Sequence, residues 1–206
     1  FKLVDGKGVL DNDAEVVIWT TTPWTIPGNL AVCVNPLFDY AVFECKGRKF
    51  VVAKDLVEGF VNTIGETEFN ILNTVKGRDL EYVTYVNPMN TVCPIILGNH
   101  VTLDAGTGLV HTAPGFGDDD FNVGKQYGLD ILAPVDSRGF LTDEAGEFAG
   151  VFYEEANKLV IEKLTERNIL IHKNVITHSY PHDWRTKKPI IFRATPQWFA
   201  SIEGFK

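Results

Sequence analysis

The feature that most constrains this chain is a pattern that recurs without a fixed period: a short run of β-branched, aromatic or aliphatic residues, then a turn signal. Val16-Val17-Ile18-Trp19 is followed by a proline-punctuated loop. Leu30-Ala31-Val32-Cys33-Val34 is closed by Asn35-Pro36, and Tyr40–Cys45 and Lys49–Ala53 flank the glycine turn Lys46-Gly47-Arg48. Residues of this kind fit a pleated surface, while Gly, Pro and Asn end ladder pairing, so the pattern predicts many short strands and a hairpin at Gly47. Tyr82–Val86 and Ile95–Leu97 continue the series, and Val101–Leu103 and Leu109–Thr112 are expected as strands either side of the tight turn Asp104–Gly108. Helical signals are fewer. Asp55 offers an N-cap for a helix with Leu56, Phe60 and Ile64 on one face and Gly65 at its stop. A short helix is expected through Phe121, Gln126 and Tyr127, and a long one over about 153–168, with Ala156, Leu159, Val160 and Leu164 on one face. This mixture predicts an α+β fold, predominantly β, in which a compact curved or closed β-barrel hides its edges and carries a few peripheral helices.

A chain of 206 residues with 45% hydrophobic content can bury one real core, so a single domain over 1–206 is expected. No apolar run approaches a membrane span and the first residues lack the pattern of a signal peptide; no membrane association and a cytoplasmic location are expected. Cys33, Cys45 and Cys93 are widely spaced with no C-x-x-C pair, which argues against a disulfide framework and a structural zinc site. The net charge of −8 would repel a polyanion overall. Any RNA contact must be local, and the tail concentrates Arg185, Lys187, Lys188 and Arg193 among aromatics and prolines.

The stretch "WTTTPWTIP" at 19–27 crowds hydroxyls beyond what a strand end needs. Asp118-Asp119-Asp120 stand where a helix begins; aspartates there can cap free N–H groups, but three in a row exceed that use and repel one another unless something positive faces them. His111 lies at a strand end before Pro114-Gly115. It can be a hydrogen-bonded packing residue, a metal ligand, a general base or a group that shapes a pocket. The metal reading is weak because neighbouring aspartates at a helix start point in different directions and no second His or Cys has ligand spacing. His172, His178 and His182, beside Pro181, read as a surface connection. Gly106-Thr107-Gly108 lacks the setting of a dinucleotide fingerprint and reads as a turn with close backbone approach; no nucleophile elbow or P-loop is present.

The motifs "WTTTPWTIPGNLAV" at 19–32, "GTGLVHTAPGFGDDDF" at 106–121, "APVDSRGFLTDEAG" at 133–146 and "SYPHDWRTKKPIIFRATPQWF" at 179–199 together resemble the editing domain inserted into isoleucyl-tRNA synthetase, a class I aminoacyl-tRNA synthetase. The valyl and leucyl relatives carry an arginine where this chain has Thr22 and lack a histidine at the position of His111. Phe116 stands where some members have histidine, and Asp183 where some have cysteine. The HIGH and KMSKS signatures are absent, so the resemblance implies a proofreading ligase fragment without aminoacylation or ATP-binding of its own, in which about 1–15 and 179–206 are stalks to a separate catalytic body.

That resemblance implies hydrolysis of valyl-tRNA(Ile) and valyl-adenylate with isoleucine excluded by size. One methylene is worth only about 1–3 kcal/mol in a binding pocket, a point for which this synthetase is the standard illustration. Asp120 would hold the substrate ammonium, and Thr20, Thr21, Thr22 and Thr25 would orient the ester and a water. His111 would border the side-chain pocket, and Trp24, Asn29, Asp119, Phe116 and Gly108 would be supporting substrate-binding residues. No metal and no cofactor is implied, and the partners would be the 3′ acceptor end of tRNA(Ile), valyl-adenylate and the catalytic body of the same enzyme. Two readings of other classes stand beside it: a non-catalytic module binding the tRNA acceptor end through the basic tail, and a metal-dependent hydrolase using His111 with Asp118, Asp119 and Asp120.

Overall fold

The computed structural model describes residues 1–177 and 179–205. In chain order the strands and helices are β1 (Leu3–Asp5), β2 (Ala14–Val16), β3 (Ala31–Val34), β4 (Asp39–Cys45), β5 (Arg48–Ala53), α1 (Val57–Thr63), β6 (Asn70–Lys76), β7 (Thr84–Val86), β8 (Val92–Leu97), β9 (Leu109–Thr112), α2 (Asp118–Gln126) and α3 (Tyr153–Glu166). One sheet has the order β1-β7-β8-β3-β9 and the other β2-β5-β4-β6. The hairpin predicted at Gly47 pairs Cys45 with Arg48 and Tyr40 with Ala53.

Period-two alternation explains how the layers stack. Tyr40 and Val42 of β4, Val51 and Ala53 of β5, and Val32 and Val34 of β3 share the cluster between the two sheets. Their neighbours Ala41, Phe43, Cys45, Phe50 and Val52 point the other way, onto Val57, Phe60 and Val61 of α1. Ala31, Cys33 and Ile96 meet Val123 of α2 on the far side of the first sheet. β3 and the inner part of β5 are buried on both faces, so they read as continuous apolar runs, whereas β6 is exposed along most of its length and forms an edge. Phe43 is fully buried, and burying a side chain of that size contributes roughly 2–3 kcal/mol. A fourth cluster packs Ala156, Val160 and Leu164 of α3 against Trp24, Ile26, Leu141 and Phe148.

The expected closed barrel is corrected here: there are two open sheets, and no closed ladder is found among the described residues. The seams between them are the single bridges Lys2↔Glu15 and Trp19↔Val110. β1 and β2 are three residues each, cut short by the turn after Gly6 and by the threonine loop, so neither seam can grow into a ladder. The first predicted strand therefore stops at Val16, and Trp19 keeps only its bridge. Tyr82 has φ +63° and stands outside β7. Val101–Leu103 is not a strand; the carbonyl of Val101 is taken by the Asn35 side chain at 3.0 Å. Asp55 does not cap α1 but lies within a preceding 3₁₀ turn, Lys54–Leu56.

Among the described residues beyond α3, regular structure is confined to the His182↔Pro189 bridge and a terminal 3₁₀ turn, and most are exposed, with Trp198 fully so. The tail is nonetheless tied back where the Ala194 N–H donates to the Gly115 carbonyl at 2.7 Å and Arg193 reaches the Val135 carbonyl. No helix among the described residues is long and apolar enough to cross a membrane. His172 and His182 are exposed on this connection, while His178 lies outside the described residues.

Candidate functional site

The threonine loop is short and stiff. Pro23 opens a 3₁₀ helix over Pro23–Gly28, and Pro fits this first position because its missing N–H would lack a partner there anyway. Thr22 precedes it; its carbonyl accepts both the backbone N–H and the hydroxyl of Thr25, at 3.0 and 2.9 Å. The Thr22 N–H donates to Thr20 Oγ1 at 3.0 Å. Trp24 anchors the loop from below, its ring meeting Phe116 edge-on at 4.9 Å and Tyr153 of α3 at 5.4 Å, and its backbone N–H donates to Asn157 Oδ1. Gly28 has no room for a side chain, because a Cβ would stand 2.8 Å from the Phe116 ring.

This loop faces the end of β9 across a cavity of about 380 Å³. Thr20, Thr21, Thr22, Thr25, His111, Phe116, Gly108 and Asp120 all border it. Trp24, Asn29 and Asp119 do not line it: Trp24 is 3% exposed in the α3 cluster, Asn29 lies one layer behind His111, and Asp119 borders a neighbouring cavity. Trp19, His100, Thr102, Asp104 and Thr107 also border the site and were not singled out from the sequence. Trp19 and Thr102 lay in expected strands and Asp104 and Thr107 in the expected Asp104–Gly108 turn, so only polar or aromatic character marked them in advance.

His111 is held by a directional hydrogen-bond chain. Tyr85 O–H donates to Asn29 Oδ1 at 2.7 Å; Asn29 Nδ2 donates to the Ala31 carbonyl and to His111 Nδ1, at 2.9 and 2.8 Å. An amide NH₂ has only hydrogens to give, so Nδ1 must supply the lone pair and the ring proton sits on Nε2. Nε2 then donates to Thr25 Oγ1 at 3.1 Å, and Thr25 passes its own hydrogen to Thr22. Both ring nitrogens are thereby occupied. Burial pushes the imidazole down to about 4, so it is neutral at physiological pH and has no lone pair free for a general base or a metal.

Of the three aspartates, none caps α2; Gly117 holds that position without a side-chain bond, and all three lie in the first turn. Asp118 and Asp119 are exposed, and only Asp120 turns inward. Its Oδ2 accepts the Ala113 N–H at 2.9 Å, which ties α2 to the end of β9. Burial raises its pKa above the usual carboxylate range, opposed by that N–H and by nearby His100. An ionised carboxylate with its second oxygen outside that bond, in a partly desolvated wall, is a receptor for a cation. Among the described residues no group of three or more His, Cys, Asp or Glu is gathered to hold a metal. Cys33, behind this wall, is pushed up to about 12 by burial and by Asp120, so it carries no thiolate.

No protein-family model matches the chain. In fold it is similar to the crystal structure of GlLeuRS-CP1, with a TM-score of 0.62 and 18% identity over 85% of this chain and 88% of that one. It is likewise similar to the editing domain of the Plasmodium falciparum cytosolic leucyl-tRNA synthetase, with a TM-score of 0.58 and 12% identity over 76% and 77% of the two chains. The chain therefore shares the fold of these two domains. In sequence the whole chain is 56% identical to isoleucine–tRNA ligases of Brevibacillus brevis and of Geobacillus thermodenitrificans, and 54% identical to that of Bacillus licheniformis. The chain spans 22% of the length of each of these relatives. Over its whole length the chain is thus similar to one segment of the isoleucine–tRNA ligases, and in fold it is similar to leucyl-tRNA synthetase editing domains.

Proposed function

We propose that this cavity hydrolyses the ester of valine mischarged onto tRNA(Ile), together with valyl-adenylate, and excludes isoleucine by size. The observation that carries the reading is the placement of one inward carboxylate, Asp120, and the Thr20, Thr21, Thr22 and Thr25 side chains around the same space of about 380 Å³. An aminoacyl ester presents an α-ammonium, a polarised carbonyl, ribose hydroxyls and a small apolar side chain. Asp120 takes the ammonium through a charge-assisted bond, and the threonine hydroxyls, uncharged donors and acceptors, orient the ester and a water. Phe116 and the His111 ring supply apolar wall.

Aminoacyl esters are reactive, so positioning of water with help from a ribose hydroxyl of the substrate supplies the chemistry without an enzymic nucleophile. His111, locked as the Nε2–H tautomer, acts by shape. Relationship to isoleucine–tRNA ligase supports the tRNA acceptor end and the catalytic body of the same enzyme as partners, and a cytoplasmic setting follows from that role. The tail, with Arg185 stacked 4.8 Å above the Trp184 ring and Lys187 and Lys188 beside it, is the local cationic surface for the acceptor strand or that body. The test is deacylation of valyl-tRNA(Ile) against isoleucyl-tRNA(Ile): selective cleavage of the valyl ester, abolished by Asp120→Ala, is expected. Equal cleavage of both esters, or an active Asp120→Ala enzyme, removes the reading.

A further inference from the structure

We infer that His100 sets the depth of the substrate cavity: its ring is the partition between that cavity and a second one, and it is a specificity-determining wall for the amino-acid side chain. The second cavity is also about 380 Å³ and is bordered by Pro36, Leu97, Asn122, Val123 and Tyr127. His100 is the one residue, among the described residues, that borders both. Taking the ring away would join the two spaces, and the combined void would far exceed the single methylene that separates isoleucine from valine.

The ring is fixed in place by what lies under it. Gly98 leaves its surface bare; a Cβ there would stand 2.6 Å from His100 Cε1, 2.8 Å from its Nδ1 and 2.6 Å from Cys33 Sγ. The imidazole therefore lies directly on the backbone of Gly98, backed by the fully buried Cys33 of β3, and cannot sink further. Its Nε2 is buried without a hydrogen-bond partner in the protein, a loss of roughly 1–3 kcal/mol for such an atom. His100 also lies within electrostatic reach of Asp120. A ligand whose ammonium sits on that carboxylate has its Cα and side chain only two or three bonds away, so the wall beside Asp120 is where side-chain length is measured.

This inference rests on the proofreading reading above, and the experiment separates the two. The full-length isoleucine–tRNA ligase that carries this chain is assayed on valyl- and isoleucyl-tRNA(Ile) as wild type and as His100→Ala, His100→Val and His100→Phe. Because one methylene is worth about 1–3 kcal/mol, the two opened variants are expected to raise the ratio of isoleucyl- to valyl-ester cleavage by about tenfold or more. His100→Phe, which keeps the bulk and discards the nitrogens, is expected to discriminate as the wild type does. If neither opened variant raises that ratio, or if His100→Phe raises it as they do, the partition role is overturned. A wild type that leaves valyl-tRNA intact instead sinks the proofreading reading itself.

Discussion

Asp120→Asn isolates the charge of the proposed ammonium receptor from its structural duty. The carboxylate accepts the Ala113 N–H through Oδ2 at 2.9 Å, and an asparagine can keep that bond through its own Oδ1. Alanine cannot, and would leave a main-chain donor unpaired at a cost of about 1–3 kcal/mol. Asn therefore preserves the α2–β9 tie and removes only the negative charge. A hydrogen bond to a charged partner exceeds a neutral one by on the order of 1–2 kcal/mol, which corresponds to a fall of about five- to thirtyfold in kcat/KM for valyl-ester hydrolysis. Stability should move the other way or hold. Burial raises the pKa of Asp120, so the ionised form is held against a desolvation penalty that the amide escapes. Steady-state deacylation of valyl-tRNA(Ile), paired with a thermal melt, reads both quantities. Wild-type kcat/KM in a fully folded Asp120→Asn enzyme would refute the electrostatic role.

Three further outcomes follow from the same geometry. Gly108 has φ +73° and its Cβ would stand 2.4 Å from that of Ala53, so Gly108→Ala should destabilise by about 2–5 kcal/mol, the sum of left-handed strain and overpacking; an unchanged denaturant midpoint would contradict this. Asn29→Ala frees the Nδ1 lone pair of His111, and the imidazole, now at about 4, should titrate measurably higher by NMR; an unmoved titration would show that Asn29 does not set the tautomer. For stability against pH, the folded pKa of His111 is about 4 against an ordinary 6.5, so below about 6.5 the unfolded chain takes up a proton that the folded one refuses. Stability is lost as pH falls from 6.5 towards 4, by about 3 kcal/mol in all. Asp120, with a raised pKa, pushes in the opposite direction, but it is common to both proteins when wild type is compared with His111→Gln. The variant should therefore show the shallower acid limb in urea unfolding at pH 7 and pH 5.

Most strands and all three α-helices were legible in local pattern. β3, β4 and β5 carry unbroken β-branched and aromatic runs bounded by turn residues, and α3 shows its apolar stripe at Ala156, Val160 and Leu164. The misreadings share one cause. Val101–Leu103, Val17–Trp19 and Asp55 have suitable residues, but strand and cap assignments need a partner, and Asn35, the threonine loop and a preceding 3₁₀ turn took those partners away. Barrel closure is a property of sheet edges meeting in space, and no run of residues encodes it locally.

Residue types alone drew attention to a hydroxyl-rich loop, to His111 and to Asp118, Asp119 and Asp120 as candidates for chemistry, because such groups are costly to crowd without a use. Folding decided which of them meet. The helix start turned Asp120 inward and left Asp118 and Asp119 in water, since successive residues on a helix point about 100° apart. Packing withdrew Trp24 and Asn29 into supporting layers, and pairing of β3 with β9 brought His111 within reach of Asn29 and Thr25, which gives the ring its tautomer and its neutrality. Sequence spacing supplies donors and acceptors, but the direction of each hydrogen bond depends on neighbours that only the tertiary structure brings together.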